Sequence, residues 1–493
     1  MSISDIIKQR LFEAEPRGRA IILGLGVSNL PLAEMLTSMG AEVCVRDAKS
    51  LNALGERALA LSARGVEFVC GADPTIGLAE EKDIHGSVIF RSPGIRPDAG
   101  ELPEAVRRGA LLTSEMEWFC DATPASVIAV TGSDGKTTTT TLTYLLLSEA
   151  AKRRGGRVYV GGNIGTPLLD KAATMSADDY AVLELSSFQL MTMHGTAQRA
   201  AITNITPNHL NWHTGVEEYT RAKYNVSGKD TRLLVLNAKS PAAAAAADSV
   251  PDFNGSVIYF SAYTSSYEET VPKNHRQGAK KAGAVFLRGD SIIFSDGNTE
   301  EELLRRSDIK LPGLHNVENY MTAAALTRGL IDRDELLHVA RTFGGVEHRI
   351  EFVRELDGVK YYNSSIDTTP TRTEAALSVF DCRPVFILCG RDKHVPFESL
   401  AAALFDRAGG VVVSGEAIPV IRAAIEAEAE RRGSYGELRV AYEDDFCAAI
   451  DRARELAKPG SAVVLSPSCT SFDRFRNFEE RGRVFKDYVN QLK

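Results

Sequence analysis

The segment Thr131-Gly-Ser-Asp-Gly-Lys-Thr-Thr138 brings together the residue types that bind phosphate. It follows the apolar run 127–130 and opens a stretch with leucines at 142, 145 and 146, a strand, loop and helix in that order. In such a loop Gly132 and Gly135 let the backbone of Ser133 and Asp134 turn its N–H groups toward one point, and the helix N-terminus from Lys136 to Thr138 adds partial positive charge. Lys136 has the reach for β- and γ-phosphates, and the Thr137 hydroxyl is placed to ligate Mg²⁺. Counted from Gly132 the loop is shorter than Gly-x-x-x-x-Gly-Lys-[Ser/Thr], so the flanking elements carry the assignment against a merely glycine-rich helix start. Three more residues could extend this chemistry. Glu184 closes the run 180–184, and an acid at a strand's carboxyl end beside a phosphate loop is where Mg²⁺ is completed. His209, in Asn208-His-Leu-Asn-Trp-His213, follows another such run and would project from the same edge, although a lone histidine is as readily structural. Lys223 reads most simply as a surface lysine on a helix.

A second glycine loop, Gly24-Leu-Gly26-Val27-Ser28-Asn29, also follows an apolar run and opens a helix. Asn29 stands where a dinucleotide fingerprint needs its third glycine, which argues against a nicotinamide cofactor. The next run ends at Asp47, where an acid commonly bonds a ribose or base edge, so a mononucleotide or nucleotide-sugar fits better. The alternative is a plain structural turn with a solvent-facing aspartate. Ser92-Pro93-Gly94 could face the same crevice, and by itself is only a turn.

The elements that must position these groups are short apolar runs at 20–25, 42–46, 87–90, 126–131, 180–185, 200–204, 232–236, 383–389, 409–413 and 461–466, separated by helical patterns. Apolar strands alternating with helices predict an α/β fold with parallel sheets covered on both faces. Strand-to-helix turns near 24, 131 and 390 predict three separate sheets, each with its own ligand-facing carboxyl edge. Residues 121–124 and 343–346 read as linkers, 316–341 as a helical stretch, and 242–247 as a helix-compatible alanine run. Residues 263–281, with Lys273, Arg276, Lys280 and Lys281, read as a solvated loop or hairpin end.

The 493 residues, 44% hydrophobic and 25% charged, predict several globular domains and exclude disorder as the main theme. A formal charge of −8 argues against a broad electrostatic grip on nucleic acid, so an anionic ligand must be held by local cations and backbone amides. No apolar run approaches the ~18–20 residues that span a bilayer, and the first residues carry acids without a leader's apolar core. These features point to the cytoplasm. The 7 cysteines are scattered, with no Cys-x-x-Cys pair, and read as reduced packing residues.

Taken together the motifs resemble one family, the Mur ligases, ATP-dependent amide-bond-forming enzymes of peptidoglycan synthesis. The resemblance rests on the phosphate loop, Gly161-Gly-Asn-Ile-Gly165, Leu183-Glu-Leu-Ser-Ser-Phe-Gln-Leu190, residues 204–213, Leu311-Pro-Gly-Leu-His-Asn-Val-Glu-Asn319, Glu347-His-Arg349 and Cys389-Gly-Arg-Asp-Lys393, in the family's order. The Glu-Leu-Ser-Ser-Phe-Gln-Leu stretch and Leu465-Ser-Pro-Ser-Cys-Thr-Ser-Phe-Asp473 look like the D-glutamate-adding branch. The Asp-Asn-Pro-Arg of many diaminopimelate-adding relatives and the Asp-Tyr-Gly-His-His of L-alanine-adding ones are missing.

The resemblance implies three domains: 1–122, Rossmann-like and uridine-binding; 123–345, a central ATPase; and 346–493, Rossmann-like, closing over the amino acid. It implies ATP, UDP-N-acetylmuramoyl-L-alanine and D-glutamate as partners, two Mg²⁺ ions with Mn²⁺ as an alternative, and a monomer. Residue by residue, Gly132 to Thr138 with Asn316, Asn319 and Arg349 would hold ATP, and Asn163 would lie near the nascent acyl phosphate. Thr137 and Glu184 would hold one Mg²⁺, and His209 with Lys223 the other; Lys223 is carbamoylated in the family, since an ammonium cannot ligate a cation. Gly26, Val27, Ser28, Asp47, Ser92, Pro93 and Gly94 would take the UDP-sugar.

The chain departs from the family in two places. Where many members carry Asp-Ser-Lys-Ala-Thr it reads Asn363-Ser-Ser-Ile-Asp-Thr-Thr369, with Ile366 at the lysine position. Two carboxylates on D-glutamate need cations or donors, so Arg372 is expected to supply one, with Thr368, Lys393, Ser471 and Phe478 completing the pocket. Asn208 and Asn211 also replace acids that commonly flank His209. Two alternatives therefore stay open: a Mur-type ligase for another amino acid, and a non-catalytic nucleotide-binding protein on the same scaffold.

Overall fold

The structure, a computed structural model, describes every residue except Met1, Lys82, Asp83, His194, Thr196, Pro251, Asp252, His394 and residues 277–281 and 434–437. Among the described residues the strands form three sheets, mainly parallel, as the alternation of apolar runs and helices predicts. In the first, all parallel, the order is Glu67–Cys70, Val43–Asp47, Ala20–Leu23, Val88–Arg91 and Leu111–Thr113. The chain reverses its winding direction between Ala20–Leu23 and Val88–Arg91, and the crevice beyond the carboxyl ends of two such strands is where open α/β sheets bind ligands.

The central sheet runs from Val158–Gly162 through Tyr180–Glu184, Ser126–Thr131, Arg199–Ile202, Leu233–Asn237 and Ser256–Ser261 to Ala282–Arg288, all parallel. Two antiparallel strands, Ser291–Ser295 and Glu300–Arg305, extend it. The register sets Val130 beside Glu184 and Thr131 beside Ile202, so the phosphate loop, Glu184 and the segment after Ile202 leave one edge together.

The third sheet has the order Glu351–Leu356, Val359–Asn363, Ala462–Ser468, Val385–Cys389, Gly410–Ser414 and Val440–Glu443, parallel except for the first pair. Alternate residues feed opposite faces: Tyr361, Val385, Ile387 and Val412 pack on one, Tyr362, Phe386, Leu388 and Val411 on the other. Each such buried aliphatic side chain contributes about 1.5–3 kcal/mol. The chain divides into two compact units, residues 1–308 with 317–339 and residues 309–316 with 340–493.

Two local expectations are refined and one changes. Residues 316–341 are not one helix but two, Leu314–Thr327 and Arg333–Thr342, because Gly329 takes a left-handed φ of 75° between them and Glu335 caps the second through the N–H of Asp332 (2.7 Å). The alanine run is split into the one-turn helices Pro241–Ala244 and Ala246–Ser249. Residues 263–276 are not an open loop: they form the short helices Tyr267–Thr270 and Lys273–Arg276 and bury Thr270, Val271 and His275, while Lys280 and Lys281 lie outside the described residues. The 7 cysteines are all free thiols, and no helix among the described residues is long and apolar enough to cross a membrane.

Glu115, which opens the helix Glu115–Ala122, is only 4% exposed and accepts the N–H of Leu169 (3.3 Å). Burial pushes its carboxyl up from 4.5 to about 7. The unfolded chain then loses this proton first, so stability declines as pH rises from the ordinary carboxylate range through about 7. Glu115→Gln keeps the acceptor oxygen and removes the charge; in thermal unfolding it should leave stability at pH 5 nearly unchanged and raise it at pH 8 by on the order of 2 kcal/mol.

Candidate active site

The phosphate loop is braced from the segment that follows the strand Arg199–Ile202. The carbonyl of Asn204 accepts the N–H of Ser133 (2.9 Å) and its side-chain oxygen accepts that of Asp134 (2.9 Å). Thr203 donates to the carbonyl of Asp134 (2.5 Å), and the Ser133 hydroxyl sits between the Thr206 carbonyl (2.9 Å) and the Tyr219 hydroxyl (2.8 Å). These contacts allow no side chain at the glycines: a Cβ on Gly132 would lie 1.9 Å from Thr203 Oγ1, and one on Gly135, at φ 78°, 2.5 Å from Asn319 Oδ1. Gly135 caps the helix Lys136–Arg154 with no side chain, so the N–H groups of its first turn point out of the helix end, and Lys136 Nζ lies 2.8 Å from the Ser133 carbonyl.

Glu184 is 2% exposed; Asn163 Nδ2 donates to its Oε1 (2.8 Å), while its Oε2 is buried with no hydrogen-bond partner. A carboxylate oxygen held in this way suits a cation. Gly162 makes the approach of Asn163 possible, since a Cβ there would lie 2.1 Å from the Glu184 carbonyl. His209 is exposed on a left-handed turn, φ 54°, with its ring 5.0 Å from Phe188. Partial desolvation of the ring, then the nearby Lys136 and Lys223, hold its pKa below the ordinary imidazole value, which keeps a ring lone pair available to a metal.

Lys223 is not a surface lysine: it is 1% exposed, on the helix Val216–Tyr224, with Nζ 2.8 Å from the Gly132 carbonyl and over the Tyr219 ring. Burial, together with Lys136, depresses its pKa well below the usual lysine range. Among the described residues no three His, Cys, Asp or Glu side chains converge as a metal cage. The donor that does suit Mg²⁺ is the buried carboxylate oxygen of Glu184 that has no hydrogen-bond partner.

At the first sheet's crevice, the Gly24–Gly26 turn and the turn after Arg91 are brought together: Ser92 N–H donates to the Leu23 carbonyl (2.9 Å), and a Cβ on Gly24 would meet that of Ser92 at 3.0 Å. Val27 is 82% exposed beside them. Asp47 is buried rather than solvent-facing and braces the glycine loop, accepting the N–H of Leu25 (2.8 Å) and of Lys49 (2.9 Å).

In the unit built on the third sheet, Lys393 Nζ lies 3.3 Å from Thr368 Oγ1 and Arg372 Nη1 3.1 Å from the Ile366 carbonyl, so both expected cations gather at residues 366–368. Ser471 follows Thr470, whose carbonyl accepts the N–H of Arg391 (2.9 Å); Phe478 opens the helix Phe478–Gln491, takes the Ser365 hydroxyl on its carbonyl (2.8 Å) and meets the His348 ring edge-on. Arg349 is exposed within electrostatic reach of Asp367. The Asn316 amide donates to the Pro312 carbonyl (2.7 Å), and Asn319, in the other unit, accepts from Thr139 (3.2 Å).

Sequence reasoning did not single out Tyr219, which reaches Ser133, or Arg481, fully buried with its guanidinium on the Ser365 hydroxyl (3.0 Å) and the carbonyls of Cys389 and Cys469. It also passed over Asp367, whose carboxyl burial raises to about 6 and which accepts from Ser466 (2.9 Å). A buried arginine near the chain's end carries no local pattern that would have marked it.

A family profile described as Mur ligase middle domain matches residues 130–327, and one described as Mur ligase, glutamate ligase domain, matches 348–469. A UDP-N-acetylmuramoylalanine--D-glutamate ligase of Ruminiclostridium cellulolyticum is 40% identical over 482 residues, covering 96% of this chain and 97% of that one. Enzymes of the same name from Clostridium novyi (41% over 474 residues; 96% of each chain) and Symbiobacterium thermophilum (40% over 478; 96% and 98%) are similar. Among solved structures, MurF from Acinetobacter baumannii superposes with a TM-score of 0.54 at 15% identity, covering 99% of this chain and 98% of that one. A UDP-N-acetylmuramate-alanine ligase from Thermotoga maritima gives 0.51 at 17%, covering 96% and 100%. Both likenesses concern the fold.

The close approach at Gly132 sets a test. Gly132→Ala must displace Thr203 and with it the bond to Asp134, so ATP affinity measured by titration calorimetry should fall about tenfold or more, with a loss of roughly 1–3 kcal/mol in unfolding free energy.

Proposed function

The chain belongs to the Mur ligase family, and on that footing we propose that it joins D-glutamate to UDP-N-acetylmuramoyl-L-alanine, converting ATP to ADP and phosphate, in the synthesis of peptidoglycan precursors. What carries this reading is similarity over 96% of the chain, at about 40% identity, to several ligases that bear the name of that reaction. The arrangement around the phosphate loop supports it, since binding a nucleotide alone does not call for a buried carboxylate, an imidazole and a buried amine beside the phosphates.

A carboxylate is a poor acyl donor. In the reaction a substrate carboxylate oxygen attacks the γ-phosphorus, the bond to the ADP oxygen breaks, and an acyl phosphate forms. The amine of D-glutamate then attacks the acyl carbon, loses a proton, and phosphate leaves. Lys136 and the first-turn N–H groups of its helix offset the repulsion between carboxylate and γ-phosphate. In this reading Asn163, whose amide donates to Glu184, lies near the transferring group. Mg²⁺, when bound by Glu184 and Thr137 and at a second position by His209 and Lys223, supplies neutralisation of the phosphate charge.

Lys223 takes part in this reading as a carbamate. A neutral amine adds CO₂ and releases one proton, and the depressed pKa of the buried Lys223 favours that neutral amine. By the same reading Gly132 to Thr138, Asn316, Asn319 and Arg349 hold ATP, and Gly26, Val27, Ser28, Asp47 and Ser92 to Gly94 the UDP-sugar. Thr368, Arg372, Lys393, Ser471 and Phe478 hold D-glutamate. Domain limits of 1–122, 123–345 and 346–493 give each sheet its own domain, in accord with strands at 20–113, 126–305 and 351–468. Ile366, at the position where many family members carry lysine, is the feature behind a second reading in which the acceptor is another amino acid.

Phosphate release from Mg²⁺-ATP should require both UDP-N-acetylmuramoyl-L-alanine and D-glutamate, with a product heavier by one glutamyl residue; stimulation by a different amino acid alone would select the second reading. Arg372→Ala should raise the KM for D-glutamate about tenfold or more with little change in kcat. With ¹³C-bicarbonate at pH 8, the wild-type chain should show a carbamate carbon signal that Lys223→Arg lacks.

A further inference from the structure

One network of charged side chains is used by none of these roles. Arg96 lies two residues beyond Gly94, in the turn read as a sugar-nucleotide loop. Its guanidinium forks onto Glu218, Nη2 to Oε1 at 2.9 Å and Nη1 to Oε2 at 3.0 Å, and Nη1 also donates to the Trp212 carbonyl (2.5 Å). Asp98 takes Nε and Nη2 at 2.8 and 2.9 Å, and the Trp212 ring lies 5.0 Å from the guanidinium carbon. Trp212 returns the contact, its indole N–H donating to the Gly94 carbonyl (3.1 Å). Glu218 Oε2 further receives the N–H of Thr214 (3.0 Å) and meets His213 Nδ1 (3.0 Å), and His213 Nε2 meets the Ser187 hydroxyl (2.9 Å). The Arg96 and Glu218 side chains are only 20% and 16% exposed.

The far ends of this network are the groups that act on phosphate. The carbonyl of His209 accepts the N–H groups of Trp212 (2.9 Å) and His213 (3.0 Å), so a shift of Trp212 moves the His209 turn. Glu218 is the third residue of the helix Val216–Tyr224, whose Tyr219 and Lys223 reach Ser133 and the Gly132 carbonyl. A second arginine, Arg91 at the end of the strand leading into this turn, donates to the Phe188 carbonyl (2.9 Å) and Thr192 Oγ1 (3.3 Å) in the segment after Glu184.

We propose that Arg96 is a positioning residue: it holds the turn at Ser92 to Gly94 in register with His209 and with the helix bearing Lys223, so that seating of a nucleotide-sugar's diphosphate on that turn is transmitted to the phosphate loop. The proposal rests on the nucleotide-sugar reading of that turn. Arginine suits the task because two parallel N–H bonds fix the orientation of a carboxylate, which a lysine's point charge cannot do. The fork, before any other influence, holds the Glu218 carboxyl at about 2, so the link stays charged at every working pH.

Hydrogen exchange on the full chain, with UDP-N-acetylmuramoyl-L-alanine and no ATP, tests the link apart from turnover. In the wild type the substrate should slow exchange of amides 206–216 about fivefold or more. In Arg96→Ala that slowing should be lost while substrate affinity changes by less than about threefold, and kcat should fall about tenfold with the KM for ATP nearly unchanged. Arg96→Lys should fall between the two, and Glu218→Gln, which keeps the shape and removes the charge, should behave like Arg96→Ala and serves if the alanine variant does not fold. Protection that survives in Arg96→Ala and Glu218→Gln overturns the proposal, as does a lowered melting temperature with unchanged kcat per folded molecule. Protection of the wild type without D-glutamate-dependent phosphate release leaves the link standing and removes the D-glutamate reading; a wild type that does not bind the UDP-substrate removes both.

Discussion

A loop that is to give its helix-end N–H groups to a phosphate has to be braced through its other atoms. Here the bracing is supplied almost wholly by the chain between Thr203 and Lys223: Asn204 takes the amides of Ser133 and Asp134, Thr203 the carbonyl of Asp134, Tyr219 the hydroxyl of Ser133, and Lys223 the carbonyl of Gly132. The geometry works only because the strands Ser126–Thr131 and Arg199–Ile202 are paired in parallel and release both segments at the same edge. Glycine at 132 is the steric condition for the two segments to meet, and glycine at 135 that for the approach of Asn319.

The same brace accounts for the unusual electrostatics. Burying Lys223 against a carbonyl rather than a carboxylate leaves a cation poorly compensated, and Lys136 nearby worsens the balance. A structural lysine in that place would be a liability; a residue whose amine is used in its neutral form would not. Glu184 shows the complementary case, a buried carboxylate with one oxygen anchored by Asn163 and the other without a partner. Two opposite defects of polar satisfaction at one sheet edge are what a site looks like when it is built around charges brought in by its ligands.

Much of this was legible in the sequence because it is local. The run 126–131, the glycine spacing and the leucines of the following helix lie within about one strand and one helix, and the ten apolar runs named at the outset all became strands. Other strands escaped although they are apolar and buried, Ser256–Ser261, Ala282–Arg288 and Ser291–Ser295 among them; the remaining misses were weak in apolar signal or remote in sequence. Glu300–Arg305 begins with three glutamates and Glu351–Leu356 has no fully buried residue, so neither reads as a strand. The burial of Lys223 depends on how its helix meets a loop 91 residues earlier, and Arg96 and Glu218 are 122 residues apart. Gly329 breaks a helix whose flanks are both strongly helical, a cost that periodicity alone does not reveal.

The antiparallel extension of the central sheet bears on self-association. A parallel sheet ending at Ala282–Arg288 would present a long apolar strand whose free N–H and C=O groups could template another chain. Instead the outermost strand is Glu300–Arg305, and its three glutamates are each tied to an arginine: Glu300 to Arg288 (2.8 Å), Glu301 to Arg328 (2.9 Å) and Glu302 to Arg333 (3.0 Å). An incoming strand would meet a run of charged side chains there, which disfavours edge-to-edge pairing. The residues that look least strand-like in the sequence thus stand where charge discourages pairing, at the outer edge of the most strand-rich part of the molecule.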